Sequence, residues 1–196
     1  MLVVVGMPGS GKSLASNVAR EMKIPVFVSG DIIRAEAKLR GLSPSRRNLG
    51  DLMLRLRREE GMAAVAKRLV PLIDTRPQLC VAYEGARNIE EIDELGRRFR
   101  VVTIAIHASP RTRLQRLLKR RRGDRPRNWN EFVERDEREL KVGVGKVIAL
   151  ANRTVENEDS KEDLKRRMKR LLSQILVSRS ESVPRRKSGR LKTRKK

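Results

Sequence analysis

Short runs of consecutive apolar residues alternate along this chain with segments whose apolar residues recur at helical spacing. The runs at 2–5, 24–28, 79–83 and 101–106, with a further β-type stretch at 153–156, predict five strands. The lack of polar alternation in the first four is what strands buried on both faces of a parallel sheet require. A first helix is predicted from Lys12 to Met22, with Leu14, Ala15, Val18, Ala19 and Met22 on one face. The last predicted helix places Leu164, Met168, Leu171, Leu172 and Ile175 at helical spacing. Ser160 precedes it as a cap, and Asp163 three residues on completes a weaker form of the capping box. Strands alternating with helices predict an α/β fold with helices on both faces of a parallel sheet. No internal repeat is present.

Two stretches fall outside that alternation. Between the second and third strands, residues 31–75 carry helical pattern broken by Gly41, Pro44, Gly50 and Gly61. That is far more chain than a crossover needs, so it reads as an insertion with its own task. Leu69–Asp74 looks like a strand, but Pro71 argues against a central one. Residues 178–196, with Pro184 and Gly189 and almost no apolar side chains, cannot build a core and are expected to form a disordered tail. The folded domain is therefore expected over 1–177.

Charge sharpens the picture. The 196 residues hold 47 Lys and Arg against 24 Asp and Glu, a net charge of +23. The tail alone holds nine basic residues against Glu181, a share of +8 that leaves +15 for the domain. Such a balance predicts phosphate-bearing or polyanionic partners and says nothing about fold. The only aromatic residues are Phe27, Tyr83, Phe99, Trp129 and Phe132, too few for reading single-stranded nucleic acid by stacked rings. Cys80 and His107 stand alone, which excludes an internal disulfide and a Cys- or His-based metal cage. No apolar run reaches the ~18 residues of a membrane span. A cytoplasmic, membrane-free protein is expected.

Gly6-Met7-Pro8-Gly9-Ser10-Gly11-Lys12-Ser13 fits G-x-x-x-x-G-K-[ST] in full, between a predicted strand and a predicted helix. The glycines let backbone N–H groups approach phosphates closely, and the following helix adds the positive end of its dipole. Lys12 would reach the β- and γ-phosphates, and Ser13 would ligate Mg²⁺. This is an ATP-type site on a three-layer P-loop NTPase fold. An Asn-Lys-x-Asp guanine motif and a Leu-Ser-Gly-Gly-Gln signature are both missing, which leaves the small kinases in front.

With Val28-Ser29-Gly30-Asp31-Ile32-Ile33-Arg34 and Glu84-Gly85-Ala86-Arg87, the P-loop completes three landmarks that resemble adenylate kinase-type nucleoside monophosphate kinases and dephospho-coenzyme A kinase. Over about residues 1–177 the chain is most similar to an archaeal P-loop family described as adenylate kinase-related or dephospho-CoA kinase-like. Ile106-His107-Ala108-Ser109-Pro110, Arg135-Asp136 and Gly145-Lys146-Val147-Ile148-Ala149 also belong to that resemblance. It implies that Ser29 and Arg34 touch an acceptor phosphate, and that Asp31 orients a Mg²⁺-bound water or takes a proton from the acceptor. Alternatively, Ser29 or Asp31 caps the helix that starts there. Glu84, ending the third strand beside the P-loop, would hold Mg²⁺ through water, although the family pattern has aspartate there. Arg87 follows at the spacing of the arginine that grips an acceptor phosphate.

After the fourth strand comes a run of arginines. Arg116 and Arg120, four apart, share one helix face. In adenylate kinase-like proteins that pair faces ATP and leads into a lid, here expected at about 119–140 with its turn at Gly123-Asp124-Arg125-Pro126. Glu131/Arg135 and Glu134/Arg138 pairs would support the next helix, and Arg135 and Arg138 are the expected lid arginines. Each of these arginines has a plainer reading as part of a solvated basic helix. Cys80 reads as a packed thiol, His107 as structural and Trp129 as lid packing. Thr154-Val155-Glu156-Asn157 looks like the strand and turn beside adenine, where backbone makes the contact.

The expected activity is transfer of the ATP γ-phosphoryl group, with Mg²⁺, to a small phosphorylated acceptor. The alternatives are an ATP-dependent regulatory or RNA-associated module, or a kinase for RNA ends. The basic tail would then bind RNA or DNA without sequence preference.

Overall fold

The computed structural model describes residues 1–74, 80–119 and 125–181. Its five strands are β1 (Leu2–Val5), β2 (Val26–Val28), β3 (Ala82–Glu84), β4 (Val102–His107) and β5 (Arg153–Glu156). They form one sheet in the order β2-β3-β1-β4-β5, parallel at every pairing. The predicted strands are therefore all present. β2 is two residues shorter than expected, because Lys23 turns the chain with a positive φ and Ile24 packs beneath the sheet.

Strand alternation splits the core in two. Leu2 and Val4 of β1, with Ala82, Ile104 and Ile106, face α1 (Lys12–Glu21) and α9 (Lys161–Glu181). Val3 and Val5, with Tyr83 and Ala105, face the opposite layer. That layer holds α2 (Ser29–Leu39), α3 (Arg46–Glu60), α4 (Ala64–Asp74), α5 (Ile89–Gly96) and α8 (Val144–Ala149). α6 (Pro110–Leu118) and α7 (Trp129–Val142) complete the chain between β4 and α8.

The long stretch after β2 folds into three helices, α2, α3 and α4, with the chain turning between them at 40–45 and 61–63. Leu69–Asp74 lies inside α4, with Pro71 in the helix interior. Arg68 ties the three helices together by donating to Glu36 of α2 (Nε–Oε2 3.0 Å) and Glu60 of α3 (Nη1–Oε2 2.6 Å). Ser160 caps α9 as expected, accepting from the Asp163 N–H at 3.1 Å. α9 continues to Glu181, four residues past the expected domain end. The remaining tail, 182–196, and the predicted lid turn at 123–124 lie outside the described residues. Among the described residues no helix is long and apolar enough to cross a membrane.

Candidate functional site

β1 is central, and the chain leaves it toward β2 on one side and later returns as β4 on the other. Ligands of open parallel sheets settle at such a reversal, at the carboxyl ends of the strands. Gly6–Ser13 follows β1 at that edge. α1 begins with Gly11 as its N-cap and no side-chain cap, so the first-turn N–H groups are left for an anion. Gly11 has φ +107°, and a Cβ there would sit 2.2 Å from Asn157 Nδ2. Only glycine lets the loop come this close to its support.

Gly6, Pro8, Gly9, Gly11, Lys12 and Ser13 line one cavity, together with Glu84, Gly85, Ala86, Arg87, Arg135, Glu139 and Val144. Met7 and Ser10 belong to the loop but stand outside this wall. Lys12 Nζ folds back on the loop and donates to the carbonyls of Gly6 (2.6 Å) and Met7 (3.0 Å). A phosphate placed in the loop would replace these carbonyls as acceptors. Ser13 Oγ donates to Glu84 Oε1 at 2.9 Å. The fragments either side of 70 intervening residues thus bring two hard oxygen donors together. Such a pair suits Mg²⁺, which takes few protein ligands and fills its shell with phosphate oxygens and water. Among the described residues no cluster of three or more His, Cys, Asp or Glu is placed to hold a metal alone.

Arg87 reaches the same cavity, but its donors are engaged: Nε donates to Glu139 Oε2 at 2.8 Å, and Nη1 approaches Met53 Sδ at 2.7 Å. Burial by itself disfavours its charge, yet the carboxylates of Glu139 and Glu91 outweigh that and hold the guanidinium above its ordinary range. Beneath Arg87 lies a buried polar network. Glu91 Oε1 accepts from Arg57 Nη2 (2.6 Å), and Glu91 Oε2 accepts from the Tyr83 hydroxyl (3.0 Å). Asn88 caps α5 by accepting from the Glu91 N–H at 2.9 Å. Burial pushes Glu91 up against the opposing pull of Arg57, and burial with the nearby Glu91 charge pushes Tyr83 well up. This network fixes α3 and α5 around the end of β3, and so fixes Glu84 and Arg87.

Other expected residues are arranged differently. Asp31 and Arg34 form an exposed ion pair with each other on α2 and do not line the cavity. Ser29 is buried just behind Gly85 and does not line the cavity. Arg116 does not point into the cavity. It donates to the carbonyls of Asn157 (2.8 Å) and Asp159 (3.3 Å), holding the loop after β5. Arg120 lies outside the described residues. Arg138 is exposed and turned away, because one residue on a helix is a rotation of about 100°. Arg135 and Glu139, four apart, share the inward face instead. Glu131 lies 3.7 Å from Arg127, and its partner was expected to be Arg135.

Arg113, Asp136 and Asn157 have supporting roles that the sequence reading did not assign. Arg113, 4% exposed, donates in bidentate fashion to Asp136 (Nη1–Oδ1 2.8 Å, Nη2–Oδ2 2.5 Å) and to the Pro8 carbonyl at 3.2 Å. Its guanidinium also lies 4.9 Å from the centroid of Phe132. Asn157 Nδ2 donates to the Ser10 carbonyl at 2.7 Å. The P-loop is thus held from behind by α6, α7 and the loop after β5. Asn157 approaches the loop with its side chain, whereas backbone contact with a base was the expectation for this segment. His107 is exposed at the end of β4, where its carbonyl accepts from the Asn157 N–H. Trp129, half exposed, packs against Phe132 with ring centroids 5.2 Å apart.

Comparison with known proteins bears on the family and the fold. An AAA-domain model matches residues 5–133. A UPF0200 protein from Hyperthermus butylicus is 44% identical over 175 residues, covering 89% of this chain and 94% of its own. Another from Methanocaldococcus jannaschii is 40% identical over 178 residues, covering 90% of both. Among solved structures, TT1252 from Thermus thermophilus superposes with a TM-score of 0.62 at 23% identity, over 89% of this chain and 96% of that one. A shikimate kinase from Bacteroides thetaiotaomicron gives 0.61 at 18% identity, over 88% and 97%. A gluconokinase from Sinorhizobium meliloti gives 0.56 at 14%, over 93% and 97%. At those identities the structures speak for the fold. The sequence relatives and the matched domain go further: this chain belongs to the UPF0200 family, with an AAA domain over residues 5–133.

Proposed function

We propose that the protein binds Mg²⁺-ATP and transfers its γ-phosphoryl group to a small phosphorylated acceptor, as a member of the nucleoside monophosphate kinase class. The observation that carries this reading is the shared cavity. One wall holds the phosphate loop, Lys12 and the Ser13–Glu84 pair, and the other holds Arg87 and Arg135. A donor site alone would not need the second wall.

Catalysis on this reading is positioning and charge neutralisation, with little covalent chemistry for side chains. Lys12 exchanges the Gly6 and Met7 carbonyls for phosphate oxygens. Ser13 and Glu84 are the residues that would hold Mg²⁺, which when bound offsets charge on the β- and γ-phosphates. Arg135 supplies positive charge from α7, and Arg87 faces the acceptor's phosphate. The acceptor class includes nucleoside monophosphates and dephospho-CoA.

The test is transfer of labelled γ-phosphoryl from ATP to a panel of nucleoside monophosphates, dephospho-CoA and RNA 5′ ends, with water as control acceptor. The expected result is a phosphorylated small acceptor with wild type and none with Lys12→Ala, whose fold is checked first by its melting curve. Release of phosphate to water alone would overturn the reading in favour of an ATP-driven switch.

A further inference from the structure

Glu139 is the second carboxylate of the cavity, and unlike Glu84, which pairs with Ser13, it is set against an arginine. It is only 19% exposed and bonds Arg87 at 2.8 Å. Its position is fixed from both ends of its helix. One turn on, Gly143 ends α7 in a left-handed conformation (φ +111°), packed so closely on the next loop that a Cβ would lie 3.3 Å from Asn88 Cβ and 3.5 Å from the Arg87 carbonyl. One turn back, Asp136 is locked to Arg113. α7 therefore presents Glu139 to Arg87 rigidly, with Arg135 beside it on the same inward face.

We infer that Glu139 is an internal competitor in the acceptor site: it occupies the Arg87 guanidinium as an anion that any incoming phosphate must displace, and so sets how tightly the site holds one. This rests on the reading that Arg87 faces the acceptor. An anion reaching Arg87 must break a charge-assisted hydrogen bond and leave a carboxylate beside a phosphate. Free inorganic phosphate has only its own charge to set against that cost. A phosphate monoester brings further contacts from the group it esterifies, and these supply the difference. Arg135, four residues back on α7, offers the displaced Glu139 a second cation. The device thus lowers the affinity for every phosphate, so that only ligands with further contacts stay bound, while keeping the half-buried arginine paired when the site is empty.

The magnitude follows from the bond that is lost. A hydrogen bond between charged groups is worth ~1.5–3 kcal/mol, which is roughly ten- to a hundredfold in affinity. Glu139→Gln keeps the shape and an acceptor oxygen for Arg87 Nε but removes the competing charge. The experiment titrates inorganic phosphate and, separately, adenosine monophosphate and dephospho-CoA into the protein saturated with Mg²⁺ and a non-hydrolysable ATP analogue. It compares wild type, Glu139→Gln and Arg87→Gln/Glu139→Gln, each first shown to be folded by its melting curve. Glu139→Gln should bind inorganic phosphate about ten- to a hundredfold more tightly than wild type, with a gain of similar size for the monoesters. The double variant should lose that gain. If wild type binds a monoester at a second site but Glu139→Gln binds phosphate no tighter, the role of Glu139 is overturned while the acceptor reading stands. If none of the three variants binds any of the probes at a second site, both fall together.

Discussion

Replacing Asp136 with alanine removes both acceptors of the bidentate pair made by Arg113. The two side chains are 5% and 14% exposed, and the guanidinium is left facing Phe132 and two backbone carbonyls. Breaking a buried pair from one side costs about 3–5 kcal/mol, because the surviving charge stays desolvated. The residual exposure of Asp136 argues for the lower end, about 3 kcal/mol. In a domain of this size each kcal/mol moves the melting temperature by about 2–4 °C, so a fall of roughly 6–12 °C is expected by scanning calorimetry. A second effect is separable from the first. Arg113 also donates to the Pro8 carbonyl, and an arginine no longer held by Asp136 positions the P-loop less well. One net hydrogen bond is worth ~0.5–1.5 kcal/mol, so a non-hydrolysable ATP analogue should bind about two- to tenfold more weakly at a temperature where the variant is folded. The double change Arg113→Met/Asp136→Leu separates the two, since a packed apolar pair can restore stability but cannot donate to Pro8. A melting temperature for Asp136→Ala within about 2 °C of wild type would refute the assignment of this pair as a structural anchor of the loop.

Three further outcomes are expected. Gly11→Ala places a methyl against Asn157 and should weaken ATP-analogue binding about tenfold or more, whereas Gly50→Ala, inside α3 with nothing within 4 Å, should stabilise the fold by about 0.5–1 kcal/mol in denaturant titrations. Hydrogen bonding to Arg68 lowers the pKa of Glu36 and of Glu60 from the ordinary 4.5. Their contribution to stability is therefore complete above that value and is lost as pH falls through the lowered ones; Arg68→Met should flatten this acid limb of the stability–pH curve, and an unchanged limb would count against the cluster. Deleting residues 182–196, which carry eight basic side chains and no acidic one, should leave ATP-analogue binding unchanged and reduce both the affinity for RNA and its slope against log salt. Equal slopes for the full-length and truncated chains would remove the tail from nucleic-acid binding.

The phosphate loop was legible in the sequence because its chemistry is local. Eight consecutive residues carry the glycines, the lysine and the hydroxyl, and the apolar runs either side supply the strand and helix that the loop needs. Glu84 and Arg87 could be found for a related reason, since a strand buried on both faces ends at the edge of a parallel sheet where ligands bind. The order β2-β3-β1-β4-β5, which brings Glu84 to Ser13 across 70 intervening residues, belongs to the tertiary structure. So does the sorting of the arginines. Arg113 and Arg116 lie three apart on one helix and are chemically identical, yet Arg113 turns inward because Asp136 waits there, while Arg116 is taken by the carbonyls of Asn157 and Asp159. Arg138 and Glu139 differ by one position, and the rotation of α7 set by Gly143 and Asp136 decides that the acid faces the cavity. Asp31 and Arg34 satisfy each other within a single turn, which no pattern of residue types could distinguish from two residues reaching for a ligand. Hydrophobic periodicity is a property of neighbours along the chain and fixes elements. Charge pairing joins residues from distant elements, so in a chain this rich in arginine the partner of each one is decided only when the elements pack.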